Sequence, residues 1–473
     1  NGLGVFAQSL ESGAIQGRVY NSKNNEPVPF ASVVIFQTTI GAASNFDGEF
    51  KFTGIKPGFV RIQVSAVGYE TYVSSEIMVS NSRTVNIEIP LVEANIALEE
   101  VVIRPSAFRK TEESPVSLRV IGIQEIEKIP GANRDISKVI QSFPGVASTP
   151  AQRNDVIVRG GGPSENSFFL DDVEIPNINH FATQGASGGP VGILNVDFVR
   201  EVNLFSGAFP ANRGDALSSV IEFKQKDGNS EKLEAQGSLG SSEIALTFDG
   251  PIGDNTTFIF SARRSYLQLL FSVLELPFLP TFNDAQFKLK TKLNKKSELT
   301  FIGLGAFDVS ELNLEANETD LQKYILSYLP VNEQWTYTVG AVYKHYREKG
   351  YGTWVLSRSY LNNYSYKYRN NIEVDSLLTF DYLSEEAENK FRYENTTRTD
   401  NGYKFNIGGG LEYAQYSNAT FRKDFVGTIP VTTDYDINLG LWKWSVFGQV
   451  SKEFYQKTLI LSLGIRSDAN NYS

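Results

Sequence analysis

Residues 285–293 read AQFKLKTKL, with Ala285, Phe287, Leu289 and Leu293 on one set of alternate positions and Gln286, Lys288, Lys290 and Lys292 on the other. Successive side chains of a strand point to opposite faces, so this stretch is a strand with one apolar and one charged face. The two-residue period recurs after Glu231. Ile244, Leu246 and Phe248 oppose Glu243, Ala245, Thr247 and Asp249; Trp335, Tyr337, Val339, Ala341 and Tyr343 share a face. Tyr403, Phe405, Ile407, Leu411 and Tyr413 oppose Lys404, Asn406, Gly408 and Glu412. Trp442, Trp444, Val446 and Val450 oppose Lys443, Ser445 and Gln449, and Leu459, Leu461, Leu463 and Ile465 stand together. A soluble sandwich also alternates. Here, though, the polar face carries Lys, Glu, Gln and Asp on strand after strand, which fits a wet lumen, and Tyr and Trp fall at strand ends, where interfacial girdles belong. The pattern predicts a large antiparallel transmembrane β-barrel over 229–473, with roughly ten strands of the length a tilted crossing needs.

Composition narrows the alternatives. The 473 residues are 41% hydrophobic and 12% aromatic, with a net charge of −10. An acidic chain is a poor partner for nucleic acid, whose phosphates need a basic surface. There is no cysteine, so disulfides and thiolate metal sites are excluded. The two histidines, His180 and His345, are too far apart for an HExxH zinc site, and no G-x-S-x-G elbow appears, so neither a zinc peptidase nor a serine hydrolase is expected. No metal or cofactor is implied. No apolar run is long enough for a spanning helix: the longest, 267–282, is broken by Glu275, Pro277 and Pro280. A membrane role therefore has to use strands.

Two further regions precede the barrel pattern. Residues 13–93 read as about seven short strands of a β-sandwich. Thr84 to Leu91 alternates, as does Arg61 to Val67, and Asn45-Phe46-Asp47-Gly48 supplies a tight turn. Residues 111–228 are mixed α+β. Helical spacing runs over Ile123 to Lys128 and over Asp135 to Phe143, with Ile136, Val139 and Ile140 on one face and the N-cap at Asn133 to Asp135. Strands are expected at Asp155–Arg159, Phe168–Asp171, Val199–Phe205 and Ser219–Gln225. Between the two regions, 94–110 hold an isolated β-branched run, Val101-Val102-Ile103, with free backbone groups for a partner strand. Residues 1–12 look like the end of a secretory signal, with Val5-Phe6-Ala7 before a cleavage point and Gln8 after it. The last residues, GIRSDANNYS, stop just after a strand pattern, so the chain reads as truncated at both ends.

Three resemblances then join these parts. GRVYNSKNNEPVPFASVVI with SNFDGEFKFTGIKPGFVRIQVSAVGYE resembles a carboxypeptidase regulatory-like domain, which implies a non-catalytic sandwich. DISKVIQSFPGVASTP followed by DVIVRGGGPSENSFFLDDVEIPNINHF, and later FPANRGDALSSVIEFKQKDG, resemble the plug of TonB-dependent receptors. Its signals are Phe143-Pro144-Gly145-Val146, Val158-Arg159-Gly160-Gly161 and Leu170-Asp171-Asp172-Val173; the last departs from the commoner Asp-Gly-Val at Asp172, which leaves its turn type open. Leu98-Glu99-Glu100-Val101-Val102-Ile103 then resembles the TonB box of that family. The combination is similar to receptors of the Bacteroidota, including the SusC-like group.

The resemblance implies an outer-membrane importer, not an enzyme, with the sandwich and box in the periplasm. It further implies that TonB pairs with the box, that outer-membrane lipid surrounds the barrel and that a nutrient is the ligand; resemblance to the SusC-like group adds a surface lipoprotein as an expected partner. A barrel with a structural or secretion-linked role is the alternative. A plug filling a charged lumen makes Arg159, Glu165, Arg213, Arg263 and Arg264 candidates for plug–barrel ion pairs. Arg153, His180 and Phe181, on loops expected to face outward, are candidates for substrate contact.

Overall fold

The computed structural model describes residues 12–81, 84–94, 113–114, 118–122, 126, 129, 135–148, 153–184, 188–240, 242–426, 429–455 and 459–472. The chain is mainly β, in three groups. The first holds β1 (Gly13–Asn21), β2 (Ser32–Ile35), β3 (Gly41–Ala43), β4 (Glu49–Ile55), β5 (Gly58–Val60), β6 (Ile62–Ser65), β7 (Tyr72–Val73), β8 (Ile77–Val79) and β9 (Thr84–Leu91). Sheets β4-β1-β9 and β3-β2-β6-β7 face each other across Ile15, Val19, Phe50 and Phe52 on one side and Val33, Ile62 and Val64 on the other. The expected seven strands become nine because β3, β5, β7 and β8 are two or three residues long, too short to leave a period in the sequence.

The second group is the plug: β10 (Leu118–Gly122), α1 (Ile136–Gln141), β11 (Val146–Ala147), β12 (Ile157–Val158), β13 (Asn166–Leu170), β14 (Val173–Ile175), β15 (Val199–Phe205) and β16 (Ser219–Gln225). Its main sheet runs β10-β15-β16-β13-β14. Asp135 caps α1 by accepting the Ser137 N–H, and Ile136, Val139 and Ile140 are buried, on the expected face. The helix ends at Gln141, short of the expected Phe143, because Pro144 and Gly145 (φ +84°) force a turn. Of the helix expected at Ile123 to Lys128, only Ile126 lies within the described residues, and it is helical and buried.

The third group holds β17 (Glu234–Leu239), β18 (Glu243–Ile252), β19 (Thr256–Ser265), α2 (Leu267–Val273), β20 (Phe278–Asn294), β21 (Ser297–Leu312), α3 (Asp320–Tyr328), β22 (Val331–Arg347), β23 (Gly350–Tyr368), β24 (Leu378–Arg398), β25 (Lys404–Val426), β26 (Ile429–Phe454) and β27 (Leu459–Asn470). The eleven strands pair antiparallel in chain order, one more than the roughly ten expected. Their burial is inverted relative to a soluble sheet. Gln286, Asp308 and Ser261 are fully buried on the inner face, while Leu356 and Val446 are 62% and 63% exposed on the outer one. Only a lipid surround makes that pattern stable. Aromatics bracket the outer apolar belt. Trp335, Tyr337 and Tyr360 cluster at one level, and Tyr343, Trp354 and Tyr393 at another. Trp335 and Tyr343 are eight residues apart on β22, about 26 Å along the strand, or roughly 20 Å of height at a tilt of about 40°, most of the apolar band of about 25 Å that such barrels present. Short turns join β18 to β19, β20 to β21 and β22 to β23 at one end; α2 and α3 lie in the long connections at the other. The sheet curls round the plug, which it touches from Arg263 on β19 to Arg466 on β27.

Candidate functional site

The site is the surface on which plug and sheet meet. Part of it is apolar. The plug core, built on Val139, Ile140, Phe168, Val173 and Phe223, continues without a break into Ile302, Leu304 and Ala306 of β21, Val342 of β22 and Val355 of β23. Gly340 of β22 makes room for the β14 hairpin: a Cβ there would lie 2.5 Å from Val173 Cγ2. This seam explains why alternation missed β21. Phe301 and Phe307 face out while Ile302, Leu304 and Ala306 face the plug, so the strand is apolar on both faces and shows no period.

The second part is a buried charged pin. His180 is 1% exposed and stacks on Phe282, with ring centroids 4.2 Å apart. Its Nδ1 lies 2.7 Å from Asp308 Oδ1 and its Nε2 3.1 Å from Asp284 Oδ2, carboxylates on β21 and β20. The Phe181 N–H donates to Asp308 Oδ2 at 2.7 Å. Arg263 Nε donates to both Asp284 oxygens, and its Nη2 donates to the plug carbonyls of Gly192 (3.0 Å) and Ile193 (2.7 Å). Burial by itself would lower the His180 pKa; the adjacent carboxylates, Asp308 foremost, outweigh it and raise it to about 9. The imidazole is therefore a cation at neutral pH, and two buried cations face two buried carboxylates.

The third part is the tip of the β13–β14 hairpin. Leu170 pairs with Val173, leaving a two-residue loop of Asp171 and Asp172 with φ +44° and +73°. Positive φ at both central positions makes this a type I′ turn, which settles the question the sequence left open: Asp172 takes the left-handed conformation usually given to Gly. The cost is offset by charge. Asp172 lies 2.8 Å from Lys344 Nζ of β22, 3.3 Å from Lys224 and 3.5 Å from Arg213. Burial would raise its pKa, but Lys224, Lys344, Arg213 and Arg392 hold it well below the usual carboxylate range. Asp171 is 3.1 Å from Lys288 of β20, which with Lys290 also grips Asp227 at 2.7 and 2.9 Å. Arg213 spans the interface, binding Glu222 of the plug at 2.8 Å and Glu394 of β24 at 3.1 Å, with its guanidinium over the Phe169 ring.

The expected ion-pair residues thus divide. Arg213 and Arg263 sit at the interface, Arg263 reaching the plug through carbonyls rather than a carboxylate. Arg264 does not: neighbours on a strand face opposite ways, and Arg264 is exposed on the outer side, donating to Asn283 Oδ1 at 2.7 Å. Arg159, exposed at φ +52°, and Glu165, held in a 3₁₀ turn, form no ion pair among the described residues. His180, expected as a candidate substrate contact, is instead buried against the barrel, with a carboxylate at each ring nitrogen. Arg153 is half-exposed and paired with Asp155 at 2.6 Å. The box segment Leu98, Glu99, Glu100, Val101, Val102 and Ile103 lies outside the described residues.

Above the plug, β26 changes phase. Below Trp442 its inner face is polar apart from Phe447; beyond it, Tyr435, Ile437 and Leu439 turn inward, while Asp434, Asp436 and Asn438 face out. They lie in register with Thr420, Asn418 and Tyr416 of β25, and these with Tyr382, Ser384 and Glu386 of β24. Gln184 of the plug reaches the foot of this wall, hydrogen-bonding Ser384 and accepting from Asn363 at 2.8 Å.

Comparison with known proteins agrees with this arrangement. A family model described as CarboxypepD_reg-like domain matches residues 15–103, and one described as TonB-dependent Receptor Plug Domain matches 110–220. The chain is 24% identical over 244 residues to the TonB-dependent transporter Oar of Myxococcus xanthus, covering 49% of this chain and 22% of that one. It is 26% identical over 188 residues to the ferrienterobactin receptor of Escherichia coli K12, covering 34% and 24%. Among solved structures, the ferric enterobactin receptor PfeA of Pseudomonas aeruginosa superposes with a TM-score of 0.56 at 16% identity, over 78% of this chain and 59% of that one. The siderophore receptor PirA of Acinetobacter baumannii gives 0.55 at 15%, over 77% and 59%. The chain spans less than two thirds of each of these relatives. With a matched plug seated inside a curled antiparallel sheet and a matched regulatory-like sandwich ahead of it, the chain has the domains and fold of a TonB-dependent receptor.

Proposed function

We propose that the chain forms the plug-bearing part of a transporter that carries a scarce nutrient across the outer membrane of a Gram-negative bacterium, energised through TonB. The observation that carries this is the plug–barrel surface: a sheet with a lipid-type outer face holds a separate domain in its lumen, through an apolar seam on β21 to β23 and, around it, charged and polar contacts. The charged and polar contacts can be exchanged for water as the plug rearranges. The short-turn end, where the sandwich lies, is read as periplasmic and the end carrying α2 and α3 as extracellular, following the usual asymmetry of outer-membrane barrels. Leu98 to Ile103 then serves as the strand that TonB pairs with. Of the substrate-contact candidates, Arg153 and Phe181 remain, joined by Gln184 and the Tyr382, Tyr416 and Tyr435 wall.

Ferric chelates are the first cargo to test, since several relatives are named for them; vitamins, glycans and peptides follow. A surface lipoprotein partner goes with the last two. The experiment deletes Leu98–Ile103 from the full-length protein and compares uptake of radiolabelled ferric enterobactin, cobalamin and labelled oligosaccharides or peptides with the parent. Loss of uptake with unchanged membrane insertion is expected. Unchanged uptake removes the box assignment, and a parent that imports nothing but supports secretion favours the structural alternative.

A further inference from the structure

The second face of the sandwich's β4-β1-β9 sheet is polar, yet much of it is covered. Gln16 is only 6% exposed, and its amide faces Ser230 and Glu231 at the entry to β17. Lys51 Nζ lies 2.7 Å from Glu231, the Thr84 N–H donates to Glu234 at 3.3 Å, and Glu88 is 3.7 Å from Lys292 at the lower end of β20. All three contacts fall on the short-turn rim of the sheet. The sandwich also meets the plug. On this face Tyr20 lies within electrostatic reach of Arg200 on β15 and of Lys290 and Glu298 inside the rim. From the end of the other sheet, Tyr72 of β7 is also within electrostatic reach of Arg200, and a Cβ on Gly122 of β10 would touch Ser75 at 3.4 Å.

From these contacts we infer that the regulatory-like sandwich is a second closure of the lumen: the face bearing Gln16, Tyr20, Lys51 and Glu88 rests across the short-turn mouth and covers the underside of the plug. The interface is built for release. Its ion pairs are partly exposed, such pairs are individually weak, and they weaken further with salt. None of the fully buried core residues of the sandwich makes these contacts, so the domain keeps its own core when it lifts away. A plug that moves toward the periplasm has to displace this domain first.

These 473 residues carry no cysteine, so each introduced thiol is unique among them. In outer-membrane vesicles carrying the full-length protein, Lys51→Cys paired with Glu231→Cys should be bridged by a short bis-maleimide much faster than Thr38→Cys, in the turn joining β2 to β3 of the opposite sheet, paired with Glu231→Cys. Separately, Arg200→Cys reports access to the plug underside. Its labelling by a polyethylene-glycol maleimide should be roughly tenfold faster when Lys51→Glu and Glu88→Lys break the two ion pairs. It should slow again when Glu231→Lys and Lys292→Glu restore them with swapped signs. Only protein that keeps its heat-modifiable migration, hence a folded barrel, is scored. Equal labelling in all three proteins, or bridging no faster than in the Thr38 control, overturns the closure. Neither cargo nor energisation enters the test, so it fails or stands apart from the transport assignment.

Discussion

The Nδ1 atom of His180 lies 2.7 Å from Oδ1 of Asp308, joining a plug loop to a barrel strand across 128 residues of sequence. With Asp284 on the other ring nitrogen, the imidazole is gripped from both sides by the wall.

That grip should depend on pH. The folded pKa of His180, about 9, stands above the ordinary imidazole value of 6.5, so its contribution is complete below about 6.5 and is lost as pH rises through 9. The amount is on the order of 3 kcal/mol at most. Urea titration of the plug, followed by limited proteolysis in micelles, should show a midpoint that falls between pH 7 and 10. His180→Gln should flatten that dependence and cost roughly 3–5 kcal/mol at pH 7, because it leaves the buried Asp308 without a counter-charge and Asp284 with Arg263 alone. A wild-type midpoint that is flat over this range would refute a cationic His180.

Asp172 opposes backbone preference to charge. Asp172→Gly removes the strain of positive φ, worth about 1 kcal/mol, but abandons Lys344, Lys224 and Arg213. Net destabilisation of the plug by a few kcal/mol is expected. Asp172→Asn, which tolerates the same backbone, should be nearly as damaging, since the lost term is charge. Below the normal carboxylate range the wild-type advantage should disappear, as the depressed Asp172 is protonated. A stabilised Asp172→Gly plug would show that the turn outweighs the pairs.

Arg213 binds Glu222 and Glu394 through different edges of one planar fork. Lysine cannot reproduce this. Arg213→Lys should therefore lose most of what Arg213→Ala loses, about 3–5 kcal/mol of plug retention, while the barrel itself still inserts. Arg213→Lys at wild-type stability would argue against fork recognition.

Leu356 sits on the outer face between Trp354 and Tyr360. Leu356→Arg should cost about 2–4 kcal/mol in a folding assay into lipid, whereas Ser357→Arg, one residue on and facing inward, should instead disturb the plug. Equal folding of Leu356→Arg and wild type would contradict a lipid-facing belt.

Much of this architecture was legible because a barrel writes itself as period two with its signs reversed. The 285–293 stretch predicts both the strand and its facing, and Gln286 and Lys288 are buried while Ala285 and Phe287 are exposed. β21 was not legible, because it is apolar on both faces. Nor was the role of His180: its carboxylate partners lie 104 and 128 residues away, and no local pattern encodes such a meeting. Arg264 was misassigned for a more elementary reason. Arg263 and Arg264 cannot both face a lumen, and the two-residue period already said so.

The antiparallel order β17 through β27 has a bearing on assembly. Each strand pairs with its neighbour in the chain, so the wall can zip up hairpin by hairpin with short loop closures. The bonds that seat the plug are long in sequence instead: Arg213 to Glu394 closes 181 residues, and Ala211 to Gln449 closes 238. Low contact order favours early formation and high contact order delays it. The plug, although it leaves the ribosome first, is the part whose docking must wait for the wall, and a chain caught before β24 forms still lacks half of the Arg213 clamp.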